Sequence, residues 1–297
     1  MQATAIHDSS DSKYFAATIG ALLFWSTSFV ATKLAYASIP PLTLGAMRFI
    51  VAAFLLGLFT AAKGGFVLPN RKDMGTIALS GFLGITLFFS LQNIGVKFTS
   101  ASNAALIVAS YPAVTAFLEW AIYRVRVTRI QAAGIALSIF GVFILTGADD
   151  GGGENVLLGN LLLVATGIVW AFYSFATRKT VNGYPPVTLA FYQTAFGALL
   201  FIPVALFERD SWQMPTPDAL TAMLYLALFC SVAAFLLYNY GLRRLTAGMS
   251  VSLMNLVPVF GSLFSVLVLD ESLSTSQLAG GAVVLAGVWC SVYKPAS

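Results

Sequence analysis

The chain has 297 residues, of which 58% are hydrophobic and only 9% are charged, and its formal net charge is +4. Soluble domains carry roughly 25% charged residues, so this composition excludes an ordinary water-soluble surface and indicates that most of the outer surface faces lipid. The basic residues lie in short clusters between apolar runs, which argues against a nucleic-acid partner.

The chain begins with a polar stretch, residues 1–13, that we predict to be a cytoplasmic tail. This stretch lacks the positively charged n-region of a signal peptide, so we expect the first apolar run to be a retained helix. A membrane-spanning helix needs roughly 20 apolar residues. Runs of about that length lie at 14–35, 41–62, 74–96, 103–123, 129–147, 158–178, 186–206, 219–240, 249–269 and 276–293.

The charges between these runs predict an orientation. Cytoplasmic loops of membrane proteins carry an excess of Lys and Arg. With the N-terminus inside, twelve of the sixteen basic residues fall on the cytoplasmic side, and eight of the twelve acidic residues fall outside. We therefore predict ten spans in the cell (inner or plasma) membrane, with both termini cytoplasmic.

An internal repeat appears at an offset of about 145 residues. The most informative matched pairs are Trp25 with Trp170, Asn93 with Asn239, Pro112 with Pro258, and Gln131 with Gln277. Five spans are an odd number, so the second unit must enter the membrane from the opposite side. We predict an all-α integral membrane fold of two inverted five-helix repeats, 14–147 and 158–294, joined by an external linker at 148–157. Secondary transporters use such repeats for alternating access, with the substrate near the midplane.

Several of the same residues resemble a known family, the EamA family of the drug/metabolite transporter (DMT) superfamily. The similar residues are Phe24-Trp25-Ser26, Lys33, Pro40-Pro41 and Arg48-Phe49 in the first half, and Pro258, Leu269-Asp270-Glu271, Gln277, Gly280 and Gly287 in the second. The resemblance covers about residues 14–294, and within the family the chain looks somewhat like the YddG-type amino-acid exporters. It implies a ten-helix carrier that exports small metabolites, commonly amino acids or drugs, from the bacterial cytoplasm. One departure is that the acid present as Glu271 is replaced in the first copy by Val125, so any role that needs both acids is in doubt.

Polar and aromatic side chains at membrane depth are the default candidates for a substrate site. We predict substrate contacts from Trp25, Ser26, Arg48, Tyr111, Trp170, Tyr173 and Asn255. A proline inside a helix removes a backbone hydrogen bond and permits bending, so hinge or gating roles are predicted for Pro112, Pro258, Asn93 and Asn239. The alternative for each residue alone is packing without a functional role.

Two charged residues within the predicted spans each allow two interpretations. Arg48 is either an anion site for a substrate carboxylate, or a side chain that snorkels to the outer interface or pairs with a helix-end carbonyl. Glu119 is either in a local ion pair with Arg124 and Arg126 or part of a proton-coupling device. Because so few acids lie in the spans, facilitated efflux or exchange is favoured over proton coupling.

The small residues of two spans predict close helix contact. Gly134 and Gly141 lie seven residues apart, as do Gly280 and Gly287, so each pair lies on one helix face. The contact is either internal, between spans five and ten, or between two copies of the chain. We expect a monomer or a weak homodimer.

These patterns favour a secondary transporter that exports small organic metabolites, above all amino acids, including aromatic and other neutral or zwitterionic ones. The single histidine, His7, and the two cysteines, Cys230 and Cys290, offer no catalytic or metal-binding cluster, so we expect no enzyme, metal or cofactor. No phosphate-binding loop is present, and no ATPase subunit is required. The expected partners are the lipid bilayer and a small-molecule substrate. The alternatives are an exchanger of nucleotide sugars or phosphorylated metabolites, which would need several basic residues in its cavity, and a channel or membrane scaffold.

Overall fold

The structure is a computed structural model that describes residues 9–62, 67–124, 127–146, 155–180, 183–241, 253 and 256–292. The regular secondary structure of these ranges is entirely helical, as predicted. Seven helices are long and apolar enough to cross a membrane, and Arg129–Leu145 and Leu256–Leu269 are shorter apolar helices. Continuous apolar helices suit a bilayer because they satisfy all their backbone hydrogen bonds internally.

The helices are numbered in chain order. The first half contains α1 (Ser9–Ala35), α2 (Pro41–Ala62), α3 (Arg71–Phe98), α4 (Ala101–Tyr123) and α5 (Arg129–Thr146). The second half contains α6 (Val156–Arg178), α7 (Pro186–Ala205, extended by a 3₁₀ turn at Leu206–Ser211), α8 (217–241), α9 (Leu256–Leu269) and α10 (Thr275–Val292). Each described helix overlaps one of the apolar runs expected from the sequence, with ends that differ by a few residues.

Two helices contain a π-helical segment in their middle. α3 is π-helical over Phe82–Leu87, and α8 is π-helical over Leu226–Ala233. The two π-helical segments are separated by nearly the offset of the sequence repeat. π-Helical turns are rare and often occur at functional sites. Hydropathy could not predict them, because an apolar run reads the same in either register.

Helix α4 is interrupted where a hinge was expected. Its halves are Ala101–Val108 and Tyr111–Tyr123, and a turn at residues 109–110 separates them. The backbone N–H of Ser110 donates to the carbonyl of Ile107 at 3.0 Å, a tighter spacing than in an α-helix. Pro112 follows directly, and its missing N–H cannot continue the α-helical pattern.

The four glycines of spans five and ten lie in the contact between α5 and α10. A Cβ atom on Gly141 would lie 2.7 Å from the backbone nitrogen of Val284, and one on Gly280 would lie 2.9 Å from the Cγ of Leu145. Gly134 and Gly287 likewise face the backbone of the opposite helix. These glycines therefore serve internal packing, the first of the two alternatives.

The matched glutamines of the repeat begin these same two helices. Thr128 and Gln131 exchange side chain to backbone hydrogen bonds of 3.2 and 3.0 Å before α5, and Ser274 and Gln277 exchange bonds of 3.1 and 2.9 Å before α10. This is the capping box, which satisfies helix N-terminal donors reciprocally. The recurrence of glutamine in the repeat thus has a structural cause.

The halves interlock around α2 and α7, which pack along each other. The apolar cluster between them includes Phe49, Ala52, Ala198 and Phe201. α3 packs on α6 and α7, α1 packs on α8 and α9, and α4 packs on α6 and α9. Each half therefore contributes to the surroundings of the other, which places the residues of the candidate site at helix crossings.

The connection between α6 and α7 is tied to the start of α3. The Tyr184 hydroxyl donates to the carboxylate of Asp73 at 2.6 Å and accepts from the backbone N–H of Asn70 at 2.9 Å. The hydrogen bond to Asp73 raises the pKa of Tyr184, because ionisation would remove the donated proton. The contact fixes the entry of α3 relative to α7.

Candidate functional site

Arg48 is a buried charge at the crossing of α2 and α8. It lies in the second turn of α2, and the residue is only 6% exposed. Its Nε donates to the Ser231 hydroxyl at 2.6 Å, and its guanidinium carbon lies 5.1 Å from the ring centre of Phe49 and 4.8 Å from that of Phe89. This burial contradicts the snorkelling alternative, because a snorkelling side chain would expose its head group.

The guanidinium has no acidic partner among the described residues, whose ion pairs are Glu119 with Arg178 and Arg209 with Asp210. Cation–π contact with two rings offsets part of the desolvation cost. A positive charge that is buried without a counter-ion favours an anionic group beside it. The site is thus electrostatically complementary to a carboxylate.

A chain of touching aromatic rings leads from Arg48 to α6. Phe89 contacts Phe88 at 4.8 Å between ring centres, Phe88 contacts Trp170 at 5.5 Å, and Trp170 contacts Tyr173 at 5.1 Å. Tyr111 joins the chain through Phe88 at 6.2 Å. Four of the predicted substrate residues, Arg48, Tyr111, Trp170 and Tyr173, therefore lie along one continuous aromatic surface.

Two glycines make room for the tyrosines of this surface. The Tyr173 ring lies directly against the α-carbon of Gly84 in the π-helical segment of α3. A Cβ atom on Gly167 would lie 2.8 Å from the Tyr111 ring. The Tyr111 hydroxyl donates to the Leu163 carbonyl at 2.9 Å, which fixes the ring. Any side chain at either glycine would displace an aromatic ring.

Trp25 and Ser26 lie apart from that surface. The Trp25 indole N–H donates to the Cys230 carbonyl at 3.1 Å, and its ring contacts those of Phe235 and Tyr238. Ser26 is fully buried, and its hydroxyl donates to the Leu22 carbonyl at 2.7 Å. Trp25 meets the π-helical segment of α8 beside Ser231, whereas the Ser26 hydroxyl already has a partner within α1.

The predicted gating residues occupy different environments. Asn93 is buried, and its side-chain amide donates to the Pro41 carbonyl at 3.0 Å. The backbone carbonyl of Asn93 accepts from the Tyr36 hydroxyl at 2.6 Å. Pro112 follows the interruption of α4, and Pro258 is buried in the first turn of α9. Asn255 and the side chain of Asn239 lie outside the described residues. Asn93 thus joins α3 to α2 and to the end of α1.

The two acids discussed from the sequence both have structural partners. Glu119 pairs with Arg178 of α6 rather than with Arg124, so the expected ion pair has a different partner, contributed by the second half. Arg126 lies outside the described residues. The Glu271 carboxylate accepts from the backbone N–H groups of Ala101 and Ser102 at 2.8 and 3.0 Å. It thereby caps the N-terminus of α4, where a negative charge is favourable.

The site includes residues that the sequence did not single out, namely Phe88, Phe89 and Ser231. The two phenylalanines lie within a continuous apolar run and gave no signal. Ser231 is a hydroxyl in mid-span near Arg48, but the pairing of α2 with α8 was unknown. Gln193, which repeats the position of Arg48, was also missed, and it donates to Ser80 and Thr177 at 2.9 and 3.1 Å.

The largest polar and aromatic clusters of the predicted site do not coincide with the cavity between α2 and α7. A cavity of about 380 Å³ opens between α2 and α7, where Thr43, Met47, Ile202 and Trp212 line it, and none of the predicted substrate residues does. In the part of the chain that the structure describes, no group of three His, Cys, Asp or Glu side chains could hold a metal ion.

Long apolar helices with a buried arginine and aromatic rings between them define a multi-pass membrane protein. The model of the EamA-like transporter family matches residues 12–147 and 157–293. The chain belongs to this family, which confirms the resemblance noted in the sequence.

Its relatives bear transporter names. An uncharacterized transporter of Archaeoglobus fulgidus is 27% identical over 92% of this chain and 95% of its own length. A probable amino-acid metabolite efflux pump of Salmonella typhimurium is 27% identical over 92% of each chain. A probable terminal-alkyne amino-acid exporter of Streptantibioticus cattleyicolor is 26% identical over 93% of this chain and 92% of its own. These names and the family point to a transporter rather than to an enzyme.

A solved crystal structure superposes on the chain with a TM-score of 0.64 at 22% identity, covering 94% of this chain and 96% of that one. At this identity the likeness concerns the fold alone. It extends over both halves of the chain.

Proposed function

We propose that this protein exports small zwitterionic metabolites, above all amino acids with apolar or aromatic side chains, across the bacterial inner membrane. The observation that supports this most is the buried Arg48, which has no acidic partner among the described residues and adjoins an aromatic surface. A carboxylate would bind the guanidinium through charge-assisted hydrogen bonds. An apolar or aromatic side chain would pack along the rings of Phe88 and Trp170.

The same geometry disfavours phosphorylated substrates. A nucleotide sugar carries two or more phosphate charges, and carriers of such anions need several basic groups in the cavity. Among the described residues, Arg48 is the cation that makes a cation–π contact with this aromatic surface, through Phe89. One guanidinium matches one carboxylate in charge.

The transport mechanism that we propose is alternating access by ten spans in two inverted five-helix repeats. Three repeated features support it: the matched π-helical segments of α3 and α8, the two capping boxes, and the glycine contact between α5 and α10. In such carriers the two repeats rock against each other around a fixed site. We further propose facilitated efflux or exchange, since Glu119 is neutralised by Arg178.

The orientation can be tested by thiol labelling of intact cells. With Cys230 and Cys290 replaced by Ala, Gln213→Cys should react with a membrane-impermeant maleimide from outside, because this exposed residue precedes α8 on the proposed outer side. The exposed Lys179→Cys, at the proposed inner side, should react only after permeabilisation. The reverse pattern would contradict the proposed orientation, and outside labelling of both would contradict the proposal that α7 crosses the membrane.

The solute class can be tested with purified protein in liposomes. Liposomes preloaded with radiolabelled L-phenylalanine or L-threonine should release them faster than protein-free liposomes, whereas UDP-glucose should be retained. Phenethylamine, which lacks the carboxylate, should leave more slowly than L-phenylalanine. Release of UDP-glucose alone would overturn the proposal, and release of all solutes without saturation would indicate a channel.

A further inference from the structure

The hydroxyl of Ser231 links α2 to the backbone of α8 through two hydrogen bonds. It accepts from Arg48 Nε at 2.6 Å and donates to the Leu226 carbonyl at 3.0 Å. The direction of both bonds follows from chemistry, because a guanidinium can only donate and a carbonyl can only accept. The serine therefore fixes the arginine side chain relative to the backbone of α8.

The π-helical register of α8 makes this arrangement possible. Ser231 and Leu226 are five residues apart and both lie within the segment Leu226–Ala233. In a π-helix the hydrogen bonds join residues that are five apart in the chain. The widened turn thus holds the hydroxyl against the helix while its oxygen points toward α2.

The corresponding hydroxyl in the first half has a different task. Thr86 lies in the π-helical segment of α3, one residue from the position that repeats Ser231, and it donates to the Gly197 carbonyl of α7 at 2.9 Å. Its partner is a backbone group, and the position that repeats Arg48 holds Gln193. Only the second half uses the π-segment hydroxyl as an acceptor for a charged side chain.

The contact with Ser231 limits how Arg48 can bind an anion. Nε is occupied, and the rings of Phe49 and Phe89 lie against the guanidinium. Among the described residues, no hydrogen bond engages the two terminal nitrogens. A carboxylate can therefore bind these two nitrogens end-on, in the bidentate geometry that guanidinium and carboxylate prefer.

We propose that Ser231 is a positioning residue, which orients Arg48 so that its terminal nitrogens receive the carboxylate of the transported solute. This inference rests on the proposed function, because it assumes that Arg48 binds a substrate carboxylate. It adds a residue that selects for the carboxylate without touching the solute.

The test compares two substitutions of nearly equal volume, Ser231→Thr and Ser231→Val, which differ only in the hydroxyl. The probes are L-phenylalanine and L-phenylalaninol, in which an alcohol replaces the carboxylate. In liposomes, Ser231→Val should raise the KM for L-phenylalanine by about tenfold, since a hydrogen bond to a charged group is lost. The KM for L-phenylalaninol should not change, and Ser231→Thr should retain most of the wild-type KM.

The outcomes separate the positioning role from its rivals. Equal effects of Ser231→Val on both probes, or equal effects of Thr and Val, would show that Ser231 only packs, and would overturn the proposal. Ser265→Ala is the control, because this buried hydroxyl of α9 donates to the Ser262 carbonyl of its own helix. If the wild-type protein transports neither probe, the proposed function itself is wrong, and the role of Ser231 falls with it.

Discussion

Two helix crossings of the molecule are equivalent by the sequence repeat but differ in the small residues that lie at them. At the crossing of α3 and α7, Gly81 faces the Gln193 carbonyl, and Gly197 faces the Gly81 carbonyl, with no room for a Cβ atom at either glycine. At the crossing of α2 and α8 the equivalent residues are Ala227 and Ala52, both fully buried. The crossing of α2 and α8 thus has alanines where the crossing of α3 and α7 has glycines.

This difference distinguishes a packing contact from the candidate site within one repeated scaffold. Close backbone approach through glycine maximises van der Waals contact, which drives helix association in a membrane. At the crossing without glycines, the long side chain of Arg48 lies against Phe49 and Phe89. Where α7 has Gln193, a neutral amide that bonds within the first-half crossing, α2 has a charge. The repeat thus supplies two similar frames, and one of them holds the candidate site.

The strongest challenge to this contrast is to give α2 the residue of α7. Arg48→Gln should raise the KM for L-phenylalanine in liposomes by about 100-fold, since removing one partner of a buried charge pair costs several kcal/mol. The melting temperature of the purified protein should stay the same or rise, because an unpaired buried charge is removed. An unchanged KM would show that Arg48 does not bind the solute. Gln193→Ala is the control, and it should change the KM little.

The crossing of α3 and α7 can be disturbed by replacing one of its glycines with the alanine found at the crossing of α2 and α8. Gly197→Ala places a methyl group against Ile85 and the Gly81 carbonyl and should destabilise the protein by about 2 kcal/mol, as overpacking does. Thermal unfolding in detergent measures the effect. Gly75→Ala, on the same helix system but in open space, should instead raise stability slightly. Equal melting temperatures for both variants would mean that close approach at Gly197 contributes nothing.

The matched tryptophans should separate in the same way. Trp170 contacts Phe88 and Tyr173 on the aromatic surface, whereas Trp25 is anchored to the Cys230 carbonyl. Trp170→Ala should slow efflux of L-phenylalanine about tenfold, because the aromatic contact made by the indole ring is lost. Membrane insertion should stay intact. Trp25→Phe keeps an aromatic side chain but removes the indole N–H that donates to the Cys230 carbonyl. It should lower the melting temperature more than it slows efflux. Unchanged efflux in Trp170→Ala would remove α6 from the site.

The smallest expected effect concerns an acid present in one half only. Glu271→Gln should lower stability by about 1 kcal/mol, since it weakens the cap of α4 by removing its charge. Asp210→Asn, an exposed acid that pairs with Arg209 next to it in the chain, should have no measurable effect on the melting temperature. A loss as large in Asp210→Asn would indicate a general effect of outer-side charge rather than the cap.

Much of the fold was predictable because its causes are local along the chain. The apolar runs, the interruption near Pro112 and the start of α10 at Ser274 and Gln277 follow from hydropathy, a missing N–H and a capping box. The family was predictable from scattered motif residues. Four of the predicted substrate residues, Arg48, Tyr111, Trp170 and Tyr173, do lie along one surface, and each was predicted as a polar or aromatic side chain at membrane depth.

The sequence alone therefore determined the class of protein and its apolar helices, since each depends on composition within one segment. Only the tertiary structure decided which helices cross, and hence that Ser231, Phe89 and Phe49 surround Arg48, and that Glu119 pairs with Arg178. The physical reason is that a hydrogen bond between α2 and α8 depends on helix register to within one residue. Apolar runs leave that register undefined until the helices pack.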